Sequence, residues 1–371
     1  MLYVQHKVPQ CDNSVQMRIR LVRFLAAAIV VTACSNAAAV NQGGGPPPCT
    51  FKNPIAAGQD PWVVHDGQFY YFAESADNGI WIYKSSSLTS LKQNGVKIWS
   101  APSTGWNRTN VWAPELHLID GTWFVYYAAG TSGPPYITQR AGVLQASTSD
   151  PQGHYDDVGM LYTGDDIVNK TGDIWAIDLT VGKINGQLYA VWSGWAQNAS
   201  TDRTAQNLYI ASMSDGAHIS SNRVLLATPT AAWERDTALD LEEGPEFLEH
   251  SGQEFIIYST HASWLPDYQL GQLRLSSATA DPMNPANWTK SSGPVFKGTG
   301  SVYGVGHASF TTSPDGTQDW IVYHSKVDPS PGWNRDIRTQ QFTWNADGSP
   351  NFGIPVAAGE SIALPSGQCQ Q

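Results

Sequence analysis

DGTWFVYYAAG, residues 120–130, sets an Asp-Gly turn directly ahead of an unbroken aromatic strand. Glycine tolerates the positive φ that tight hairpin turns require, and aromatic and β-branched residues suit a pleated, half-buried surface. The same unit recurs four more times, as DGQFYYFAES from Asp66, NGQLYAVWSGW from Asn185, SGQEFIIYSTH from Ser251 and DGTQDWIVYHS from Asp315. The turn glycines Gly67, Gly121, Gly186, Gly252 and Gly316 are 54, 65, 66 and 64 residues apart. Each unit is followed by a second strand candidate: IWIYKSS, AGVLQASTS, NLYIASMS, QLRLSSA and RTQQFTWN. About four strands per repeat, five times over, predict an all-β, five-bladed β-propeller. A β-sandwich would show strands every 8–12 residues without this long self-similarity. Spacings near 60 also leave room for loops over one face.

Composition agrees with such a fold and excludes some functions. Charged residues are 14% of the chain, with 15 Trp, 15 Tyr and 34 Gly, a profile common among proteins that handle carbohydrate. The net charge of −11, with no basic stripe, excludes a nucleic-acid partner, since phosphate binding needs a basic face.

Residues 1–39 read as an upstream extension plus a secretory signal: a basic MRIRLVR from Met17, an apolar FLAAAIVVTA and a small-residue Ala37-Ala38-Ala39. Met17 is the expected true start. The apolar run is too short to span a bilayer, so a secreted, extracellular protein with no membrane partner is expected. Val31-Thr32-Ala33-Cys34 resembles a bacterial lipoprotein box. Sequons at Asn107, Asn169, Asn198 and Asn287 favour a eukaryotic secretory route and are candidate glycosylation sites. Residues 40–48 form a Gly/Pro-rich linker, and residues 49–371 the propeller, with no further carbohydrate-binding domain expected. Beyond the signal only Cys49 and Cys369 remain, one at each end of the repeats, which predicts one disulfide clamping the ring. A closed loop of that length is stabilised by roughly 4–5 kcal/mol in the chain-entropy model.

One polar residue stands six to nine positions before each turn glycine: Asp60, Glu115, Asp178, Glu243 and His307. In a propeller these positions begin the innermost strands, so five distant residues converge on the central channel. Converging carboxylates repel unless they are paired or used. Glycosidic hydrolysis uses two, one protonated to assist the leaving oxygen and one ionised to attack or to activate water, and a third can tune the acid. Glu242 competes with Glu243 for the acid's place, and Glu115 reads more naturally as a structural cross-link. Five different residues at equivalent positions suit one asymmetric site better than a repeated lectin site.

GQDPWVV, NVWAPELHLIDGTWFVYYAAG, IDLTVGKINGQLYAVW, EEGPEFL and YGVGHASFT together resemble glycoside hydrolase family 43, over about Asn53 to Pro365. The resemblance implies a five-bladed propeller and an inverting mechanism. It implies Asp60 as general base, Asp178 as pKa modulator and orienter, and Glu243 as general acid. It also implies a channel histidine at His307, close to a metal such as calcium or to a water cluster, and a substrate-contacting arginine at Arg338, with Arg335 nearby. No cofactor is otherwise expected. The wording is most similar to the branch releasing L-arabinofuranose from arabinan or arabino-oligosaccharides of the plant cell wall, acting as a monomer. An endo-arabinanase, a β-xylosidase or a non-catalytic carbohydrate-binding propeller are the alternatives. A sucrose- or fructan-cleaving propeller is disfavoured because neither its Asn-Asp-Pro-Asn-Gly nor its Arg-Asp-Pro motif occurs. Gln59 departs from many relatives at the base motif. Trp62, Trp106, Trp112, Trp175, Trp195 and Trp264 lie near the inner-strand starts, and of these Trp112 is the expected sugar contact.

Overall fold

The computed structural model describes residues 49–369. The signal and linker expectations, residues 1–48, lie outside the described residues. Among the described residues there is no α-helix, only two 3-10 turns, and thus none that is long and apolar enough to cross a membrane.

Five antiparallel sheets form the blades. Their innermost strands are Trp62–His65, Thr109–Ile119, Ala176–Ile184, Glu242–His250 and Tyr303–Thr312, in blades 1 to 5. Each runs into its predicted turn glycine and returns through the aromatic strand, for example Thr122–Gly130 in blade 2 and Gln187–Gly194 in blade 3. Neighbouring inner strands contact one another around the full ring, blade 5 meeting blade 1. The alternation of apolar residues in the strands has a direct consequence here. Five hydrophobic clusters fill the gaps between blades 1 and 2, 2 and 3, 3 and 4, 4 and 5, and 5 and 1. Fully buried Phe72 and Trp320 fill the gap between blades 5 and 1, Tyr126 and Trp192 that between 2 and 3, and Tyr258 that between 3 and 4, each side chain contributing roughly 1.5–3 kcal/mol by burial.

The ring closes as its end-flanking cysteines predict. Ala56–Ala57, ahead of blade 1, pairs with Arg335–Trp344 in blade 5, and Thr50–Lys52 pairs with Ser361–Ala363. Cys49 and Cys369 are joined in a disulfide with Cα atoms 5.7 Å apart. An edge strand from the chain start is thereby built into the last blade, which removes an exposed edge.

Blade 1 differs from the others on the face where the inner strands begin. Its second and third strands are joined by a turn at 77–78, whereas the corresponding loops span 131–139, 195–206, 261–268 and 327–334 in blades 2 to 5. The short 54-residue spacing in the sequence is this missing loop. The four long loops raise a rim around the channel mouth, and blade 1 leaves it low.

Candidate active site

The inner strands share a local device at the channel mouth. Pairing with the neighbouring strand shifts register between Trp112 and Glu115, Ile177 and Thr180, Glu243 and Glu246, and Gly306 and Ser309. At each irregularity, and just ahead of the first inner strand, one residue takes a left-handed backbone: Asp60 (φ 47°), Ala113 (φ 41°), Asp178 (φ 53°), Gly244 (φ 51°) and His307 (φ 45°). Bulges of this kind re-aim side chains and cluster at functional sites, and for non-glycine residues a left-handed backbone costs on the order of 1–3 kcal/mol. The equivalence read from the sequence is thereby corrected in two blades. Ala113, not Glu115, is blade 2's counterpart of Asp60, and Glu243 stands one residue before its blade's counterpart, Gly244. Glycine is required there. Its N–H donates to Asp178 Oδ2 at 3.1 Å, and a Cβ would lie 3.1 Å from the His307 ring.

A cavity of about 750 Å³ opens at this mouth, with Asp60, Asp178, Glu243 and His307 on its floor and Trp112 among its walls. Four of the residues expected from the sequence at the inner strands thus meet in space, together with the predicted Trp112. Glu115 does not join them. It is buried against His117, whose Nε2 lies 2.8 Å from Glu115 Oε2, and beside Glu246. Glu246 accepts from Thr180 Oγ1 at 3.3 Å and is held well above the usual carboxyl range by burial and by Glu115. Glu242 faces away as well, bound by Lys290 Nζ at 2.5 Å, and Lys290 also reaches Glu234. Of the two neighbouring glutamates, Glu243 lines the cavity and Glu242 does not.

The floor carboxyls sit in opposite fields. Asp60 Oδ1 accepts from Arg335 Nη1 at 3.2 Å and lies 3.4 Å from His307 Nδ1 and 3.2 Å from His324 Nδ1. Burial alone would raise its pKa, but His307, Arg335 and His324 outweigh it and hold Asp60 well below the ordinary carboxylate range. Burial and Arg335 push His324 down to about 3, so its ring is neutral at neutral pH. Its Nδ1 accepts the Asp60 N–H at 3.2 Å, and Arg335 is left as the fixed cation. Glu243 is the reverse case. Its Oε1 accepts from Tyr268 Oη at 2.9 Å, yet burial and the nearby Asp60 charge raise it to about 7. Asp178 is raised well above its ordinary value by burial, then by Glu243 and Asp60. One carboxyl is pushed down and its two neighbours are pushed up, the separation that acid–base chemistry on one bond needs.

Other expectations are revised. Arg338 does not reach the cavity: its Nε donates to Ser325 Oγ at 2.6 Å and its Nη1 to the Val356 carbonyl at 3.2 Å, inside blade 5. Arg335, three residues earlier on the same strand, lines the cavity instead. Asn107 is buried, with Nδ2 donating to Tyr127 Oη at 2.8 Å and Asp157 Oδ2 at 2.9 Å, so this amide is not presented for glycosylation. Asn169 and Asn198 are exposed and Asn287 half-buried. Among the described residues no three His, Cys, Asp or Glu side chains gather as a metal-ligand set. Trp175 and Trp264 join Trp112 around the cavity, with Trp195 stacked beneath Trp175 at 4.4 Å. Trp62 stacks on His117, and Trp106 packs on Tyr127 between blades. Sequence reasoning missed Tyr136, Gln206, Tyr268, His324 and Trp333. Tyr268, His324 and Trp333 come from second and third strands or rim loops, where no repeat position marks them.

The model of glycosyl hydrolases family 43 matches residues 51–350. This chain belongs to glycoside hydrolase family 43. The family 43 chain is 37% identical over 325 residues to an extracellular exo-α-(1→5)-L-arabinofuranosidase of Streptomyces avermitilis, an alignment covering 84% of this chain and 64% of that protein. It is 34% identical to α-L-arabinofuranosidase 43 of Humicola insolens, over 81% of this chain and 62% of the relative. The chain thus spans a little under two thirds of the length of these relatives. The crystal structure of an α-L-arabinofuranosidase from Lactobacillus brevis matches with a TM-score of 0.75 at 32% identity, covering 84% of this chain and 98% of that one.

Proposed function

We propose that this family 43 chain is a secreted, inverting exo-α-L-arabinofuranosidase acting on arabinan or arabino-oligosaccharides of plant cell walls. The observation that carries the chemistry is the opposed surroundings of Asp60 and Glu243 on one cavity floor, Asp60 beside Arg335 and two histidines and Glu243 buried beside Tyr268. Glu243, protonated up to about pH 7, gives its proton to the glycosidic oxygen as the bond from the anomeric carbon breaks. Asp60, ionised beside Arg335, takes a proton from the water that attacks the opposite face of the sugar ring. Asp178 accepts the Gly244 N–H beside Glu243, and because charge on one of these two carboxyls raises the other, their closeness favours a proton on the pair. The bond change draws on two carboxyl groups and water alone, and no step passes through an ion. His307, Arg335 and Gln206 line the cavity with groups that can bond sugar hydroxyls, and Trp112 and Trp175 supply apolar faces.

The named activities of the relatives and of the solved neighbour support arabinose as the released sugar. The high rim over blades 2 to 5 supports action at a chain end rather than in the middle of a polymer. The extracellular character in the name of the Streptomyces relative supports secretion. The test is proton NMR of the first-released sugar from α-1,5-arabino-oligosaccharides. The β-anomer before mutarotation is expected. An α product would make Asp60 a nucleophile, and release of internal oligosaccharides from linear arabinan would make the enzyme endo-acting.

A further inference from the structure

The cavity wall between blades 4 and 5 is built unlike the rest. Trp264, in the loop 261–268, and Trp333, in the loop 327–334, approach with ring centroids 5.3 Å apart and planes at 50°. Each ring carries a guanidinium: Arg203 lies 5.2 Å from the Trp264 ring and Arg335 lies 5.3 Å from the Trp333 ring. The Gly332 N–H donates to the Trp264 carbonyl at 2.9 Å, which locks the two loops together. The wall is therefore ordered before anything binds. Trp333 nevertheless leaves 59% of its surface to solvent, and nothing in the packing of blade 5 asks for a large exposed ring there. Among the described residues it is the most exposed aromatic side chain of the cavity lining.

Its position relative to Glu243 tells what it faces. Ser263 contacts the Glu243 carboxyl and precedes Trp264 directly in the chain. The oxygen that Glu243 protonates belongs to the departing group, so the departing group lies on the Ser263–Trp264 side of the floor. The first surface it meets there is the paired rings and their arginines. We propose that Trp264 and Trp333, edged by Arg203, form the platform for the departing sugar, one neutral arabinofuranosyl unit of the remaining oligosaccharide. This rests on the glycosidase reading above. The apolar C–H face of the sugar covers the solvent-exposed part of the Trp333 ring, and the guanidinium groups stacked over the rings turn donors towards hydroxyls, a division of labour that aromatic rings and arginines suit well.

The experiment compares two substrates on the full chain: α-1,5-arabinobiose, whose departing group is a sugar, and α-L-arabinofuranosyl fluoride, whose departing group is a single atom. The ratio of kcat/KM for the disaccharide to that for the fluoride should fall about tenfold in Trp333→Ala, as the loss of one stacking surface implies. It should recover in Trp333→Tyr and fall by a smaller factor in Arg203→Ala. Trp333 also supports Arg335, and loss of that support alone would lower both substrates by the same factor. An unaltered ratio, with or without such a common loss, overturns the platform. A wild-type chain that is active on neither substrate overturns the glycosidase reading and the platform with it, whereas an unaltered ratio in an active enzyme overturns the platform alone.

Discussion

The two sides of the cavity floor keep a carboxyl group in opposite states by opposite means. On the blade 1 and 5 side, Asp60 is surrounded by nitrogen: Arg335, His307 and His324. On the blade 3 and 4 side, Glu243 is surrounded by buried oxygen and apolar surface, with Tyr268 its hydrogen-bond donor and Asp178 its neighbour. Residue type would not distinguish these roles, since both are ordinary acids. The residues that neighbouring inner strands, outer strands and rim loops place around them do. A site assembled from five blades can give each carboxyl its own surroundings, because each blade brings different residues to the channel mouth.

The largest effect expected from breaking this contrast is on turnover. Asp60→Asn and Glu243→Gln should each lower kcat by about 10²–10⁴-fold with circular dichroism unchanged, the usual weight of a general acid or base. Glu242→Gln, one residue away, should leave the reaction far less affected, because Glu242 is turned towards Lys290. Full activity in Glu243→Gln together with loss in Glu242→Gln would reverse the assignment. Azide should rescue Asp60→Asn if Asp60 serves only to activate water.

Next in size is the effect of removing the cation that separates the two sides. Arg335 lowers the pKa of Asp60 and also that of Glu243. In the native chain Asp60 stays ionised well below the carboxylate range, so the acidic limb of kcat/KM lies low. The alkaline limb follows loss of the Glu243 proton near pH 7. Arg335→Met should shift both limbs upward as well as weakening substrate binding. A profile in which only the alkaline limb moves would mean that the histidines, not Arg335, hold Asp60 ionised.

The contrast should also show in stability. Burial and the Asp60 charge push the Glu243 carboxyl up to about 7, from the 4.5 of a solvated glutamate. Between those values the folded state binds more protons than the unfolded one, so stability falls as pH rises through this window, and the penalty remains above it. Glu243→Gln removes that penalty and keeps an acceptor for the Tyr268 hydroxyl. The variant should melt higher than the native chain at pH 8, with the gain shrinking towards pH 4.5. An equal gain at both pH values would assign the stabilisation to packing, with no part for the buried charge.

How much of this was readable in the sequence follows from what repeats. The turn glycines and aromatic strands recur because every blade must make the same hairpin, so the five-bladed ring and its closing cysteines are legible. Asp60, Asp178, Glu243 and His307 are legible because each sits near a fixed distance from such a turn. In blade 2 the positional equivalence fell on Glu115, which is the buried structural residue it reads as, while the residue at the equivalent backbone position, Ala113, is chemically silent and betrays itself only by its backbone angle. Arg335 and Arg338 lie on one strand, three residues apart, and are separated in function by which face of a twisted blade each one occupies. Tyr268, His324 and the rim residues Arg203 and Trp333 were illegible for a different reason: they stand on rim loops or a second strand, where no periodicity within one repeat reports them.

The smallest effect expected is also the most direct probe of the Glu243 side. Tyr268 Oη donates to Glu243 Oε1, a bond that favours the ionised carboxylate and so works against burial. Tyr268→Phe keeps the ring stacked on His324, at 5.3 Å, and deletes only the donor. Glu243 then loses a contact that lowered its pKa, and the alkaline limb of kcat/KM should move up by a fraction of a pH unit. Turnover below that limb should fall modestly, since the hydroxyl also fixes where the acid's proton points. Asp60 does not touch this hydroxyl, so the acidic limb should stay where it is. An alkaline limb that moves down instead would show that the tyrosine oxygen accepts a proton from a neutral Glu243, in which case Tyr268 holds the acid protonated and burial alone is not what keeps the proton in place.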